Sequence, residues 1–491
     1  MKARAIKFLV IALLSFGAAF CVFSLLSPER IPLALPLAVF AAFVTFNGHA
    51  RNCMKRVGEW VEGHQTAFFG VAVVLSLIGR LAIWHWMGHD DLVDFNLSYT
   101  DSRRFWEYAQ EMAGGSFPPV KSWTTAGAYA GIIACFGKST LAALCLNFVC
   151  QIVTAACLYV GGKTVFSRLT GIVSAGLYLV SPPILLVTMR TMSENFYFMF
   201  LAVALCSLAL WFRSGRSRWL LLSEAATWLC TWSRGEGVLL LCATFLILVS
   251  MLLVDLRDWR IMGRAILVYL FGACAGAAVG LIVNASANGT RTVFCSADNY
   301  WPKLIGARIE TKGQLPTDKR MPNDKAIIRC QYLADHPGDP DGVIRKMRPQ
   351  TCPAELVPYI QREISRRWAA MSFCEAVGFI LTKELFDWSN SYTGRGRLGK
   401  KPKLGRARLF GCFHVVVLVF ACIAFVRAGM AVFAGVAVDR RLLLSLTPFV
   451  FLCGVISILA IFEANIRYGL VACVLLPFYA AGGALAQLSR E

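Results

Sequence analysis

The sequence predicts an all-α protein that crosses a membrane many times. Three observations carry that expectation. Of 491 residues, 57% are hydrophobic and only 16% charged, with a mean hydropathy of +0.59; a soluble chain of this length is more polar. Apolar runs long enough to span a bilayer, or nearly so, recur along the chain. Lysine and arginine gather in alternate connections between those runs. The formal charge of +20 then reflects orientation and anionic membrane lipids rather than nucleic acid, for which no basic-aromatic module is present.

The runs come in this order. Residues 5–27 imitate a signal peptide, but the apolar core is long and Phe20 before Cys21 is a poor lipoprotein cleavage site, so this is read as a retained span. Residues 31–46 and 67–87 follow. Residues 123–136 are too short to cross comfortably and are expected to be re-entrant or in-plane. Further spans are 140–160, 169–187, 195–212, 219–232, 237–254 and 264–285. A polar segment, 288–371, precedes an amphipathic stretch, 373–388, with Glu375, Lys383, Glu384 and Asp387. The last spans are 409–426, 442–461 and 468–488. The expected total is about 12 transmembrane helices.

Charge orients them. With the N-terminus in the cytoplasm, the basic connections 51–56, 163–168, 213–218, 257–264 and 427–441 and the C-terminal Arg490 fall inside. Residues 88–121, 190–194, 234–236, the long polar segment and 463–467 fall outside. The basic run 394–408 would also lie outside, against lipid phosphates. The other solution, a crossing by 373–388, puts four charges in one span, which is expensive. Most of the 18 cysteines lie in apolar runs and act as small hydrophobes; Cys295, Cys330 and Cys352 lie in the polar segment.

The candidate chemistry gathers on the outer side. Asp90, Asp91, Asp94 and Asp101 follow the third span in short steps, and Asp101 opens a segment with helical spacing. Phe105, Tyr108, Ala109 and Met112 fall on one face; Arg103, Arg104, Glu107, Gln110 and Glu111 fall around the other. Such a segment is expected to lie in the membrane interface with its aromatic face down. The Gly114-Gly115 pair stops it. Asp101 is a candidate general base for an acceptor hydroxyl or amine, or a helix N-cap. Glu194, at the start of a span, either profits from the helix dipole or faces Asp101 as a second acid. Arg234 and Glu236 form an interfacial ion pair or contact substrate, and Arg190, Arg103 and Arg104 are further candidate substrate contacts. Between the last two spans lie Glu463, Arg467 and Tyr468, where an arginine could fork onto a lipid phosphate or anchor the interface. Arg80 and Glu224 lie inside spans, as functional groups or as a structural pair. Asp90 and Asp91 after His89 leave a divalent cation possible, but no metal is expected to be obligatory. Residues 272–280, GACAGAAVG, read as small-residue helix packing.

Several of these pieces, taken in order, resemble the membrane-embedded GT-C glycosyltransferases. The group is the bacterial family-39 and aminoarabinose-transferase-like one related to protein O-mannosyltransferases. Asp101 with SRRFWEYAQEMAGG resembles the first-loop acid, SFPPVKSW the Pro-Pro turn into a short helix, and FGKS a Phe-Gly step. TMSEN, WSRGEG and IRYGLVACVLLPFYAAGGA resemble later pieces, so that about residues 67–260 and 440–488 are covered. The resemblance implies a GT-C-like bundle in a bacterial inner membrane with its active site facing outward. It also implies a polyprenyl-phosphate-linked sugar as donor and a lipid, protein or glycan as acceptor. Asp101 would be the base, Glu194 would assist, and Arg467 with Arg234 would hold the carrier phosphate. Residues 67–287 would be the catalytic core with outer loop 88–122, residues 1–66 two extra helices, 288–408 an outer polar segment, and 409–491 the closing helices. Ser102 stands where the family often has a second acid, which weakens a metal role. Trp301, Tyr332, His336 and Asp341 in the polar segment line an acceptor site or cap the bundle. Two rival functions remain. A polysaccharide polymerase or ligase would place its essential residues in 288–371. A lipid or solute transporter would be expected to show an internal repeat.

Overall fold

The computed structural model describes residues 2–25, 34–36, 39, 48–87, 96, 100–116, 122–254, 259–288, 293, 321–338, 354–380, 404–459 and 474–477. They contain helices and no strand, as an all-α membrane protein requires, since a helix satisfies its own backbone in lipid. Among the described residues six helices are long and apolar enough to cross, or seven if one bent pair is a single span. The runs at 31–46 and 468–488, and the second half of 373–388, fall largely outside the described residues.

The chain divides into two units. The first holds Met1–Cys295, Arg408–Leu452 and Leu470–Glu491; the second holds Ser296–Ala407 and Cys453–Gly469. In the first unit, α1 (Lys2–Leu25) is followed by α2 (Gly48–Gly63) and α3 (Gln65–Met87). The outer segment forms α4 (Thr100–Ala113), and the short apolar run forms α5 (Trp123–Phe136). Then come α6 (Thr140–Val165), α7 (Arg168–Val180), α8 (Pro182–Thr188), α9 (Ser193–Ser214), α10 (Ser217–Ser233), α11 (Val238–Val254) and α12 (Trp259–Asn288).

Local chemistry sets the boundaries. Ser139 caps α6 and Ser167 caps α7, each hydroxyl accepting a first-turn amide, from Ala142 and Thr170. Gly215 ends α9 in the left-handed region at φ 65, its amide donating to Trp211 O at 2.7 Å. The expected span 169–187 is not one straight helix. Ser181 takes an extended conformation before Pro182-Pro183, and α7 and α8 meet at 58°. Proline lacks the amide that would continue the ladder and crowds the residue before it.

The α9 helix is the centre of this unit. Of its most apolar window 72% is buried, against 11% for α12 and 17% for α3. Those outer helices show Leu267, Phe271, Ile282 and Leu81, as lipid-facing surfaces do. The stretch 272–280 does pack closely. A Cβ at Gly272 would overlap Glu224, one at Gly276 would overlap Trp228, and one at Gly280 would approach Trp232 Nε1 at 3.2 Å. Every fourth residue of α10 thus enters a glycine notch of α12.

Further helices are α13 (Met321–Asp335), α14 (Val357–Ala369), residues 373–380, α15 (Leu404–Phe433) and α16 (Arg440–Leu459). In the second unit, α13 and α14 form a pair. Tyr332 stacks on His336 at 4.5 Å, and Tyr359 Oη donates to Asp335 Oδ2 at 3.0 Å. So Tyr332 and His336 of the polar segment do meet, while Trp301 and Asp341 lie outside the described residues. Glu375 belongs to a capping box. It accepts the Ser372 amide and hydroxyl, both at 2.8 Å, and its own amide donates to Ser372 Oγ.

Candidate functional site

The site is built where helix ends of the first unit meet. The α9 and α10 helices form an antiparallel hairpin, so the start of one lies beside the end of the other. Glu194 is the second residue of α9 and is 1% exposed. Arg234 follows the last residue of α10. Arg234 Nη1 donates to Glu194 Oε1 at 2.7 Å. The same guanidinium forks onto Glu236, with Nη2 to Oε1 at 3.2 Å and Nε to Oε2 at 3.4 Å. The expected pair Arg234–Glu236 is therefore a triad that includes Glu194. Its one cation serves two carboxylates, and Tyr197 lies under the guanidinium, 5.7 Å from Cζ to ring centroid. Ser193 Oγ adds a hydrogen bond to Glu194 Oε2 at 3.2 Å.

Just before Glu194, the chain is held by neutral polar groups. The Arg190 carbonyl accepts Asn147 Nδ2 at 2.9 Å, Asn195 Nδ2 at 2.8 Å and the Met192 amide at 2.9 Å. Tyr129 Oη donates to Asn147 Oδ1 at 2.6 Å, which brings α5 into the network. Arg190 itself is buried. Thr191 points the other way: its amide donates to Asn96 Oδ1 at 2.7 Å and its hydroxyl to Ser102 O at 2.9 Å. Ser102 is the residue after Asp101, so the first turn of α4 is tied directly to the turn that leads into Glu194.

Asp101 lies one residue inside α4, in its first turn, and is half-buried. The buried face of α4 differs from the expected one. Ser102, Trp106 and Ala109 are its buried residues, while Phe105, Tyr108 and Met112 are half-buried. Trp106 and Ala109 pack with Tyr129, Ile133 and Phe196. A polar residue at 102 and a bulky aromatic at 106 mark a helix seated on protein, where tertiary contacts override the simple apolar stripe. Burial raises the Tyr108 phenol; Arg104 opposes this, and the Glu111, Glu107 and Asp101 carboxylates add to it. Arg103 is exposed and Arg104 half-buried. Glu463, Arg467, Tyr468, Asp90 and Asp91 lie outside the described residues, as do Cys295 and Cys352; Cys330 is exposed on α13. Among the described residues no group of three His, Cys, Asp or Glu side chains could hold a metal ion.

The two intramembrane ions are not partners. Arg80 bonds to Ser76 Oγ at 2.6 Å, to Thr188 Oγ1 at 2.9 Å and to Gln151 Oε1, with Phe148 under its guanidinium. Glu224 lies against Gly272 of α12. A structural pair is excluded because α3 packs on α7 and α8 while α10 packs on α12.

Sequence reasoning missed Thr191, Asn96, Asn147, Asn195 and Tyr129. The signal for two of them was available: an asparagine and a glutamine, Asn147 and Gln151, inside one apolar run are costly in lipid unless they bond across helices.

Residues 116–283 match the family model described as dolichyl-phosphate-mannose-protein mannosyltransferase. That stretch, about a third of the chain, is similar to the protein O-mannosyltransferases, membrane glycosyltransferases of the GT-C type, and the apolar helices are those of a multi-pass membrane protein. The matched stretch contains Arg190, Glu194, Arg234 and Glu236; it begins after Asp101. No curated protein and no solved structure matches the chain.

Proposed function

We propose that the chain moves a sugar from a polyprenyl-phosphate donor to an acceptor on the outer face of a bacterial cytoplasmic membrane. The observation that carries this reading is the joining of two helix starts. Asp101 and Glu194 occupy first turns whose backbones are linked through Thr191 and Ser102. Dipoles of both helices favour anionic side chains there, and the family match supports the sugar-transfer class.

In this reading the acceptor O–H or N–H attacks the anomeric carbon. The bond from that carbon to the phosphate oxygen breaks, and its electron pair leaves on the carrier phosphate. Asp101, half-buried in the first turn of α4, takes the proton as general base. A single displacement inverts the anomeric centre. Arg234 and Arg190 supply positive charge for the leaving phosphate, and Glu194 with Glu236 holds Arg234 in place. No metal is part of the proposal. The acceptor is a lipid, a protein or a glycan.

The test compares wild type, Asp101→Asn and Glu194→Gln in membranes supplied with radiolabelled polyprenyl-phosphate mannose, following loss of label from the carrier. Loss with wild type and none with Asp101→Asn is expected. Equal loss with both moves the base to Glu194. No loss with any monophosphate donor sinks the proposed donor class.

A further inference from the structure

We infer that Thr191 is a positioning residue that holds Asp101 in register with the Glu194–Arg234–Glu236 triad. The inference rests on the reading of Asp101 as the base. Thr191 spends both of its donors on the segment that carries Asp101. Its amide goes to Asn96, before α4, and its hydroxyl goes to the carbonyl of Ser102, beside Asp101. In the chain direction it is three residues from Glu194. The Arg190 carbonyl behind it accepts three hydrogen bonds, so the clamp stands on a rigid base.

Thr191, Asn96 and Ser102 are each 0% exposed. Water does not compete for these bonds, and they fix direction as apolar packing would not. Stability alone does not account for the arrangement. Asn96 Nδ2 and Ser102 Oγ are buried on either side of the clamp and meet no hydrogen-bond partner among the described residues. A junction kept only for stability would pair or remove such groups. Local polar cost beside a candidate acid is what a functional site carries. A general base must lie within hydrogen-bond reach of the proton it takes, so a loosened α4 start slows chemistry more than it weakens donor binding.

Thr191→Val keeps the shape and deletes the hydroxyl; Thr191→Ser returns it. Ser223→Ala is the control, since it removes a buried hydroxyl-to-carbonyl bond of the same kind, from α10 to Ala204 of α9, outside the network around Thr191. With full-length protein in membranes and radiolabelled polyprenyl-phosphate mannose, Thr191→Val is expected to lower kcat at least about tenfold, with donor KM changed by less than about twofold. Thr191→Ser recovers most of the rate, and Ser223→Ala stays close to wild type. In parallel, hydrogen exchange over residues 100–106 becomes faster in Thr191→Val and returns to normal in Thr191→Ser; this comparison decides if no form turns the probe over. A Thr191→Val enzyme with wild-type kcat beside an inactive Asp101→Asn overturns the inference. So does a Ser223→Ala loss as large as that of Thr191→Val, or unchanged exchange over 100–106. An active Asp101→Asn instead overturns the reading beneath it, whatever Thr191 does.

Discussion

Glu194 shows how much a single side chain depends on a partner distant in sequence. Its carboxylate is sealed from water at 1% exposure and answered by Arg234, forty residues on. An ion pair this buried adds little over an apolar pair of the same shape, but breaking it leaves an uncompensated charge. Arg234→Met is therefore expected to destabilise the protein by about 3–5 kcal/mol, read as a lower thermal midpoint in detergent. Adding Glu194→Gln to it should recover part of the loss, and no recovery would mean that Arg234 acts elsewhere. The local half of this cluster was legible, since Arg234 and Glu236 are neighbours in sequence. Glu194 entered only because the α9–α10 hairpin folds its start onto the other helix's end.

Among elements, glycine notches make the sharpest test. A Cβ at Gly171 would overlap the backbone carbonyl of Tyr159, which cannot swing away; at Gly276 it would meet the Trp228 ring; at Gly272 it would meet the end of a flexible Glu224. Alanine substitutions should thus cost most at Gly171, less at Gly276 and least at Gly272. The first two should fall in or above the range of about 1–3 kcal/mol typical of overpacking. Thermal midpoints of the three variants give the order, and a different order would show that α12 moves rather than Trp228. In the second unit, hydrogen bonds from Arg366 and then Arg367 hold the buried Glu363 carboxyl down to about 2. Its folded value lies below the unfolded 4.5, so it contributes stability above pH 4.5, lost as pH falls toward about 2. Pepsin cleavage between residues 321 and 369 should rise over that window in wild type and depend less on pH in Glu363→Gln. The break between α7 and α8 was legible in Pro182-Pro183, yet hydrophobicity alone ran one span through it. Apolar composition reports lipid compatibility and not straightness.

For the molecule as a whole, orientation follows from charge. Residues 163–168 and 213–218 are basic connections at the end of the bundle opposite the site. The positive-inside rule supports the proposal that this end faces the cytoplasm. Alkaline phosphatase fused after Lys138 should be active and the same enzyme fused after Gly215 inactive, with fluorescent-protein fusions giving the opposite pattern. The reversed pattern would put the site in the cytoplasm and exclude the proposed donor face.

The sequence by itself determined the class of fold, the presence of many spans, the limits of α5 and the start of α9, because hydrophobic length and helix-end chemistry are local. It also marked Asp101, Glu194 and Arg234 as candidates through residue type and place in a run. Only the tertiary structure decided which of them meet. The Thr191 clamp, the threefold-bonded Arg190 carbonyl and the Trp106 face of α4 all join residues far apart in the chain. Their partners are selected by helix packing and by the cost of leaving a buried polar group unpaired. Neither leaves a periodic trace in the sequence.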